Sequence, residues 1–250
     1  MKSYLIHLIR HGASAGNLQG RYIGKTDSPL AMESVKTLAE LKQKYEYPTA
    51  DAYYCSTHTR CRDTLKILYP EETPLGVDGL EECDFGDWEG KTASQLQKTD
   101  PAFAKWMAGG EQASPPNGEG GAAFMYRVCS AFEKLVEGLI RSHTYTSVLV
   151  IPGGVMMTIL SAYGLPKAPF YDWMCEPGFG YSLRITPSLW MRGMVAEVYE
   201  TLPRQGDGPA QADHTVIDLA REAADRAYGK HEEESHEESP QGDPGEASQE

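Results

Sequence analysis

Cysteine is scarce in this chain and never clustered. Its five cysteines, Cys55, Cys61, Cys83, Cys129 and Cys175, are odd in number, scattered, and form no Cys-x-x-Cys pair. That pattern argues against disulfides or a zinc site and favours reduced thiols, hence a cytoplasmic protein. Positive charge is also in deficit, with 23 Lys and Arg against 36 Asp and Glu and a formal net charge of −13. Binding along a phosphate backbone needs clustered Lys and Arg, so no nucleic-acid partner is expected. Long apolar runs are missing too. The N-terminal apolar run is broken by His7 and Arg10 too early for a signal peptide, and no run approaches the length of a membrane span, so no membrane partner is expected. No internal repeat is present.

What the chain does have suits one sizeable α/β domain: 40% hydrophobic residues and 10% aromatics, enough to build a core. Strand-like and helix-like stretches alternate. Strands are expected at Tyr4 to Ile9, Asp51 to Cys55, Leu75 to Leu80, Ser147 to Ile151, Tyr181 to Ile185 and Met194 to Tyr199. Helices are expected at Leu30 to Tyr45, Thr59 to Leu68, Phe124 to Arg141 and Val155 to Tyr163, with short ones between Thr92 and Met107. The stretch from Gly16 to Pro29 reads as loop, and Ala108 to Gly121, rich in Gly, Pro and Ser, as flexible. Residues 91–126 read as a lid over the site within a domain spanning residues 1–202. Residues 203–229 read as a linker and possible helix, and residues 230–250, with eight acids against one lysine, as a disordered acidic tail.

The most informative stretch is Leu8-Ile9-Arg10-His11-Gly12, where an apolar strand ends. In open α/β sheets ligands bind beyond the carboxyl ends of strands. A histidine there can act as a nucleophile, an arginine can neutralise an anion, and a glycine lets backbone approach the ligand. Three other strand ends carry compatible residues. Ser56-Thr57-His58-Thr59-Arg60 brings a second guanidinium to the start of a helix. Leu80 to Gly90 packs acids, aromatics and glycines into one turn-rich segment, and Ile151 is followed by Pro152-Gly153-Gly154.

Over about residues 3–200 the chain resembles the histidine phosphatase superfamily, also called phosphoglycerate mutase-like, and most closely its broad-specificity and α-ribazole phosphatase-like members. The resemblance is carried by Arg10-His11-Gly12 with Ser14 and Asn17; by Gly24, Asp27, Pro29 and Leu30; by Ser56, Arg60 and Thr64; and by Leu80, Glu82, Phe85-Gly86 and Trp88-Glu89-Gly90. It implies a three-layer α/β/α fold with a mostly parallel central sheet. It also implies metal-free, cofactor-free phosphoryl transfer through a phosphohistidine, with a small-molecule phosphate ester as substrate. On that resemblance His11 is the nucleophile and Glu82 the proton donor, with Glu81 the neighbouring alternative. Arg10, Asn17, Arg60 and Gly153 are the phosphate-binding residues. Glu89 is expected to bond the backbone of its own turn, and Phe85 and Trp88 to pack it.

One departure stands out. The family's final strand ends in a second histidine followed by Gly-Gly, and here that slot holds Pro152, which has neither a side-chain donor nor a backbone N–H. Ala13 stands where Glu or Gln is usual and Ser34 where Gly is usual, neither touching the chemistry directly. Of the other histidines, His7 is expected to be a satisfied core residue, His143 lies at the far end of its strand, and His58 is the only neighbour, expected to point outward from its helix start. The leading expectation is therefore a phosphomonoester hydrolase, of full or reduced activity. The alternative is a catalytically impaired homologue that binds a phosphorylated ligand or protein partner. A mutase is disfavoured, because the lid holds only Lys91, Lys98 and Lys105 against Asp100, Glu111 and Glu119.

Overall fold

The computed structural model describes residues 2–107 and 114–204. The expected linker helix and acidic tail beyond residue 204 therefore lie outside the described residues, as does the first part of the Gly/Pro/Ser stretch. In chain order the elements are β1 (Tyr4–Arg10), α1 (Ala15–Leu18), α2 (Met32–Lys44), β2 (Ala52–Ser56), α3 (Thr59–Leu68), β3 (Leu75–Val77), α4 (Ala93–Thr99), α5 (Pro101–Met107), α6 (Gly121–Ser142), β4 (Thr146–Ile151), α7 (Gly153–Tyr163), β5 (Gly164–Leu165), β6 (Gly180–Ile185), α8 (Pro187–Gly193) and β7 (Ala196–Leu202). Short 3-10 turns lie at Gly86–Trp88 and Phe170–Trp173.

The strands form one seven-stranded sheet in the order β3-β2-β4-β1-β6-β7-β5. Pairings are parallel except that β6 runs antiparallel to both β1 and β7. Side chains alternate across a strand, so the central strands feed two separate cores. Ile6 and Leu8 of β1 and Leu149 and Ile151 of β4 pack with Phe124, Val128 and Phe132 of α6 and Val155 and Ile159 of α7. Ile9, Val148 and Val150 face the other way, onto Leu38 of α2 and Cys61, Leu65 and Leu68 of α3. The result is the expected three-layer α/β/α fold with a mostly parallel central sheet. Strands buried on both faces read as near-continuous apolar runs, interrupted within β1 only by His7, which is why β1 and β4 are legible from sequence.

Several elements depart from the sequence reading: β3 stops at Val77 rather than Leu80 and β5 was not anticipated, while three others differ for a clear local reason. The Gly16–Pro29 loop contains α1, started by a capping box in which Ser14 Oγ accepts the Asn17 N–H and the Asn17 side chain accepts the Ser14 N–H. Helix α8 was not anticipated, although Pro187 at its first turn is a start signal. The last strand begins at Ala196 rather than Met194, because Met194 ends α8 in the left-handed conformation at φ +50°.

Candidate active site

Because β1, β2 and β4 are parallel neighbours, their carboxyl ends open on one edge of the sheet. Arg10 lies in register with Ile151, and the His11 N–H donates to the Ile151 carbonyl at 3.1 Å. The residues after β1, after β2 and after β4 are thereby brought together.

His11 is buried and its imidazole is held at both nitrogens. Nδ1 donates to the Gly12 carbonyl at 2.6 Å, so Nε2 is the bare nitrogen, and it accepts from Arg60 Nε at 3.1 Å. Burial first, and the Arg60 charge second, push its pKa well below the ordinary value of 6.5, so the ring is neutral at pH 7 with its lone pair on Nε2. Arg60 is fully buried. Its Nη1 donates to the Thr26 carbonyl at 3.0 Å and Nη2 to the Gly24 carbonyl at 2.9 Å, which with the Nε bond uses three of its five N–H groups and leaves two to give. Thr64 locks the two segments together, accepting the Gly12 N–H at 2.9 Å and donating to the Arg60 carbonyl at 2.7 Å.

Arg10 is anchored from the opposite side. Its Nη1 donates to the Cys175 carbonyl, and its backbone exchanges hydrogen bonds with Gly178 and Phe179. Among the described residues its Nε is buried without a hydrogen-bond partner, lying beside Gly153, where a Cβ would stand 3.1 Å from it. A buried guanidinium donor left unpaired at the start of a helix is an arrangement suited to an anion.

Glu82 is bound across the site. Its Oε2 accepts the Gly154 N–H at 2.9 Å and its Oε1 the Cys83 N–H at 3.0 Å. The close approach needs glycine at 154, since a Cβ there would lie 2.3 Å from Glu82 Oε1. Glu81 points elsewhere: it accepts from Thr57 Oγ1 at 2.7 Å and from the Gly79 N–H at 2.9 Å. Of the two acids, Glu82 is thus the one the fold turns toward α7. Beside it opens a cavity of about 480 Å³ lined by Lys25, Glu81, Glu82, Asp84, Glu119 and Arg127 among others.

Pro152 is buried at the N-cap of α7 and supplies no side-chain cap. Asn17 spends its side-chain oxygen on the capping box at Ser14, leaving the amide nitrogen as its donor end. His58 corrects the sequence expectation. It does not point outward but is only 6% exposed, with Nδ1 3.3 Å from Ser56 Oγ and a hydrogen bond to the Lys25 carbonyl. Its pKa is lowered by burial and then by Arg60. His7 is a satisfied core histidine as expected, its Nδ1 2.8 Å from Ser182 Oγ.

Glu89 does more than bond its own turn. Besides the Phe85 N–H at 3.2 Å it accepts the N–H groups of Gly24 and Lys25, each at 3.0 Å. The same loop gives its carbonyls to Arg60, so Glu89 and Arg60 clamp residues 24–26 from two sides. Ser34 accepts the Ala13 N–H at 2.8 Å directly behind His11. No sequence pattern points to Glu89 as a clamp for a loop 65 residues away, nor to the Cys175 carbonyl as a partner of Arg10.

The likeness to known proteins extends over most of the chain. The family model of the histidine phosphatase superfamily, branch 1, matches residues 6–191. The chain belongs to this superfamily. Among its superfamily relatives, the adenosylcobalamin/α-ribazole phosphatase of Escherichia coli K12 is 28% identical over 176 residues, covering 68% of this chain and 85% of the relative. An acid phosphatase of Mycobacterium tuberculosis is 30% identical over 180 residues, covering 67% and 85%. The crystal structure of phosphoglycerate mutase from Bacillus anthracis superposes with a TM-score of 0.65 at 15% identity, covering 88% of this chain and 97% of that one, a likeness of fold alone.

Proposed function

We propose that the chain is a phosphomonoester hydrolase that works through a phosphohistidine on His11. The observation that carries this reading is the state of His11: Nδ1 is committed to the Gly12 carbonyl, and the unprotonated Nε2 of a neutral ring meets only the Arg60 Nε–H, which a phosphoryl group would draw away. In the first step the Nε2 lone pair attacks phosphorus in line with the ester oxygen. The P–O bond breaks, and Glu82 gives its proton to the departing alkoxide. In the second step water attacks the phosphohistidine and loses a proton to the Glu82 carboxylate, the P–N bond breaks, and inorganic phosphate leaves with His11 restored. Arg10, Arg60, the Asn17 amide and the Gly153 N–H would hold the non-bridging oxygens. The substrate would be a small-molecule phosphate ester handled in the cytoplasm without metal or other cofactor, and residues 91–126 would cover it as a lid.

One observation favours a second reading, a homologue that binds a phosphorylated ligand or protein partner without turnover. Pro152 leaves the start of α7 without a side-chain donor, and Glu82 already occupies the Gly154 N–H. One preorganised donor is typically worth about 10² to 10³ in rate, a loss an active phosphatase can survive. The test is hydrolysis of an aryl phosphate by the natural chain, by Pro152→His and by His11→Ala. Activity in the natural chain clearly above His11→Ala, raised about 10² to 10³-fold in Pro152→His, is the expected result. Activity in Pro152→His alone establishes the second reading. Activity unchanged in His11→Ala removes the phosphohistidine.

A further inference from the structure

Arg127 sits on α6, outside every motif that marks the site, yet its guanidinium is spent on the segment that carries Glu82. Nε and Nη2 donate to Glu119 Oε1 and Oε2 at 2.9 and 2.6 Å, a bidentate fork. Nη1 donates to the carbonyls of Gly79 and Glu81 at 3.1 and 3.0 Å and lies 3.4 Å from Glu81 Oε2, while Nη2 reaches the Glu82 carbonyl at 3.4 Å. Residues 79–82 belong to no helix or strand. Their carbonyls lie outside any strand ladder, and half-buried carbonyls must find their donors elsewhere. Arg127 supplies them.

The far end of the fork is fixed as well. The Glu119 N–H donates to the Asp84 carbonyl at 2.7 Å, and the Asp87 N–H to the Pro116 carbonyl at 2.9 Å, so the 114–120 segment is laced to the turn just after Glu82. The Phe124 ring lies 5.3 Å from Arg127 Cζ and limits how far the guanidinium can swing. Since Arg127 grips the Glu82 main chain rather than its carboxylate, any movement of the guanidinium carries the carboxylate with it.

We propose that Arg127 is a positioning residue for Glu82: by holding the carbonyls of Gly79, Glu81 and Glu82 against α6 it sets the reach of the Glu82 carboxylate toward α7 and the leaving oxygen. Glu119 ties that setting to the 114–120 segment. The catalytic part of this inference rests on the reading of Glu82 as proton donor. Lysine cannot replace the arginine, because one ammonium lacks the planar fork that meets a carboxylate and several carbonyls at once.

The experiment uses the full chain with Arg127→Met, Arg127→Lys and Glu119→Gln, and Glu82→Ala as the reference for a lost carboxylate. The first readout is NMR hydrogen exchange at the Gly154 amide, which only a correctly placed Glu82 protects. Arg127→Met is expected to lose that protection to the level of Glu82→Ala. Wild-type protection in Arg127→Met together with a lowered melting temperature makes the residue merely structural and overturns the proposal. The second readout compares an alkyl phosphate, whose leaving oxygen needs a proton, with dinitrophenyl phosphate, which does not. A misplacement of about 1 Å costs about 10²-fold, so the alkyl ester should lose that much while the dinitrophenyl ester changes little. Equal losses on both esters also overturn the proposal. If the natural chain turns over neither ester, the phosphatase reading has failed and amide exchange alone decides the placement of Glu82. Should Arg127→Met not fold, Arg127→Lys and Glu119→Gln are read against the same two criteria.

Discussion

Replacing Gly154 by alanine perturbs Glu82, the proposed proton donor, without substituting it. The added Cβ would stand 2.3 Å from Glu82 Oε1 and 3.0 Å from both Cδ and Oε2. Relief to ordinary van der Waals contact needs a retreat of the carboxylate by about 1 Å, a displacement worth about 10²-fold in rate when it misplaces a catalytic group. The retreat also breaks the bond from the Gly154 N–H to Oε2, now 2.9 Å. Leaving that amide unpaired costs about 1 to 3 kcal/mol, the same order as that rate loss. Stability moves less. Alanine is better than glycine in a helix by about 1 kcal/mol, which offsets part of the lost bond, so the melting temperature should shift by only a few degrees. The assay is the rate on an alkyl phosphate and on dinitrophenyl phosphate, with melting recorded in parallel. The alkyl ester should fall about 10²-fold and the activated ester far less. If Gly154→Ala keeps the wild-type ratio between the two esters, Glu82 is not the proton donor and its contact with α7 has no catalytic meaning.

Glu89→Ala frees the Gly24–Lys25 loop on one side and thereby loosens Arg60; calorimetric titration with inorganic phosphate should show affinity weakened about tenfold, equivalent to about 1.4 kcal/mol, and unchanged affinity would refute the clamp. Gly86→Ala places a Cβ 2.2 Å from the Pro116 carbonyl oxygen at a residue with φ +48°, so chemical denaturation should report a loss of at least about 1 to 2 kcal/mol from the left-handed backbone alone, and an unaltered midpoint would contradict the geometry. Burial, and after it Arg204, hold the His7 pKa down to about 4 from 6.5. The unfolded chain therefore binds a proton before the folded one does, and the stability His7 contributes is intact above pH 6.5 and lost as the pH falls toward 4, by up to about 3 kcal/mol. His11 acts in the same direction. Denaturation midpoints measured from pH 7.5 to pH 4.5 should fall, less steeply in His7→Gln, and an equal slope in the two proteins would rule His7 out as a source.

Much of the architecture could be read before any coordinates. Apolar-rich runs placed β1 and β4, and the four-residue spacing of Phe124, Val128, Phe132 and Val136 placed α6. Helix α3 spans Thr59–Leu68 just as its periodicity and Pro70 predict. These signals are local: a strand buried on both faces and a helix with one buried face each write their burial into consecutive residues. His11, Arg10 and Arg60 stood out because each ends or follows such an element. Short elements escaped, α1 and α8 among them, because four to seven residues carry too little periodicity and only their caps announce them.

What the amino-acid order determined by itself was the longer elements, the residue types at the strand ends, and a proline at position 152. What only the tertiary structure decided was how those residues are poised. Glu82 rather than Glu81 meets α7 because the Gly154 backbone admits its carboxylate. His58 turns inward because the Lys25 carbonyl and Ser56 receive its ring. Glu89 and Arg127 become clamps through bonds spanning 65 and about 46 residues. Contacts of that range depend on how sheet, helices and loops close on one another. The protonation of His11 depends on them too, since its burial beside Arg60 exists only once β1, β2 and the 24–26 loop have come together.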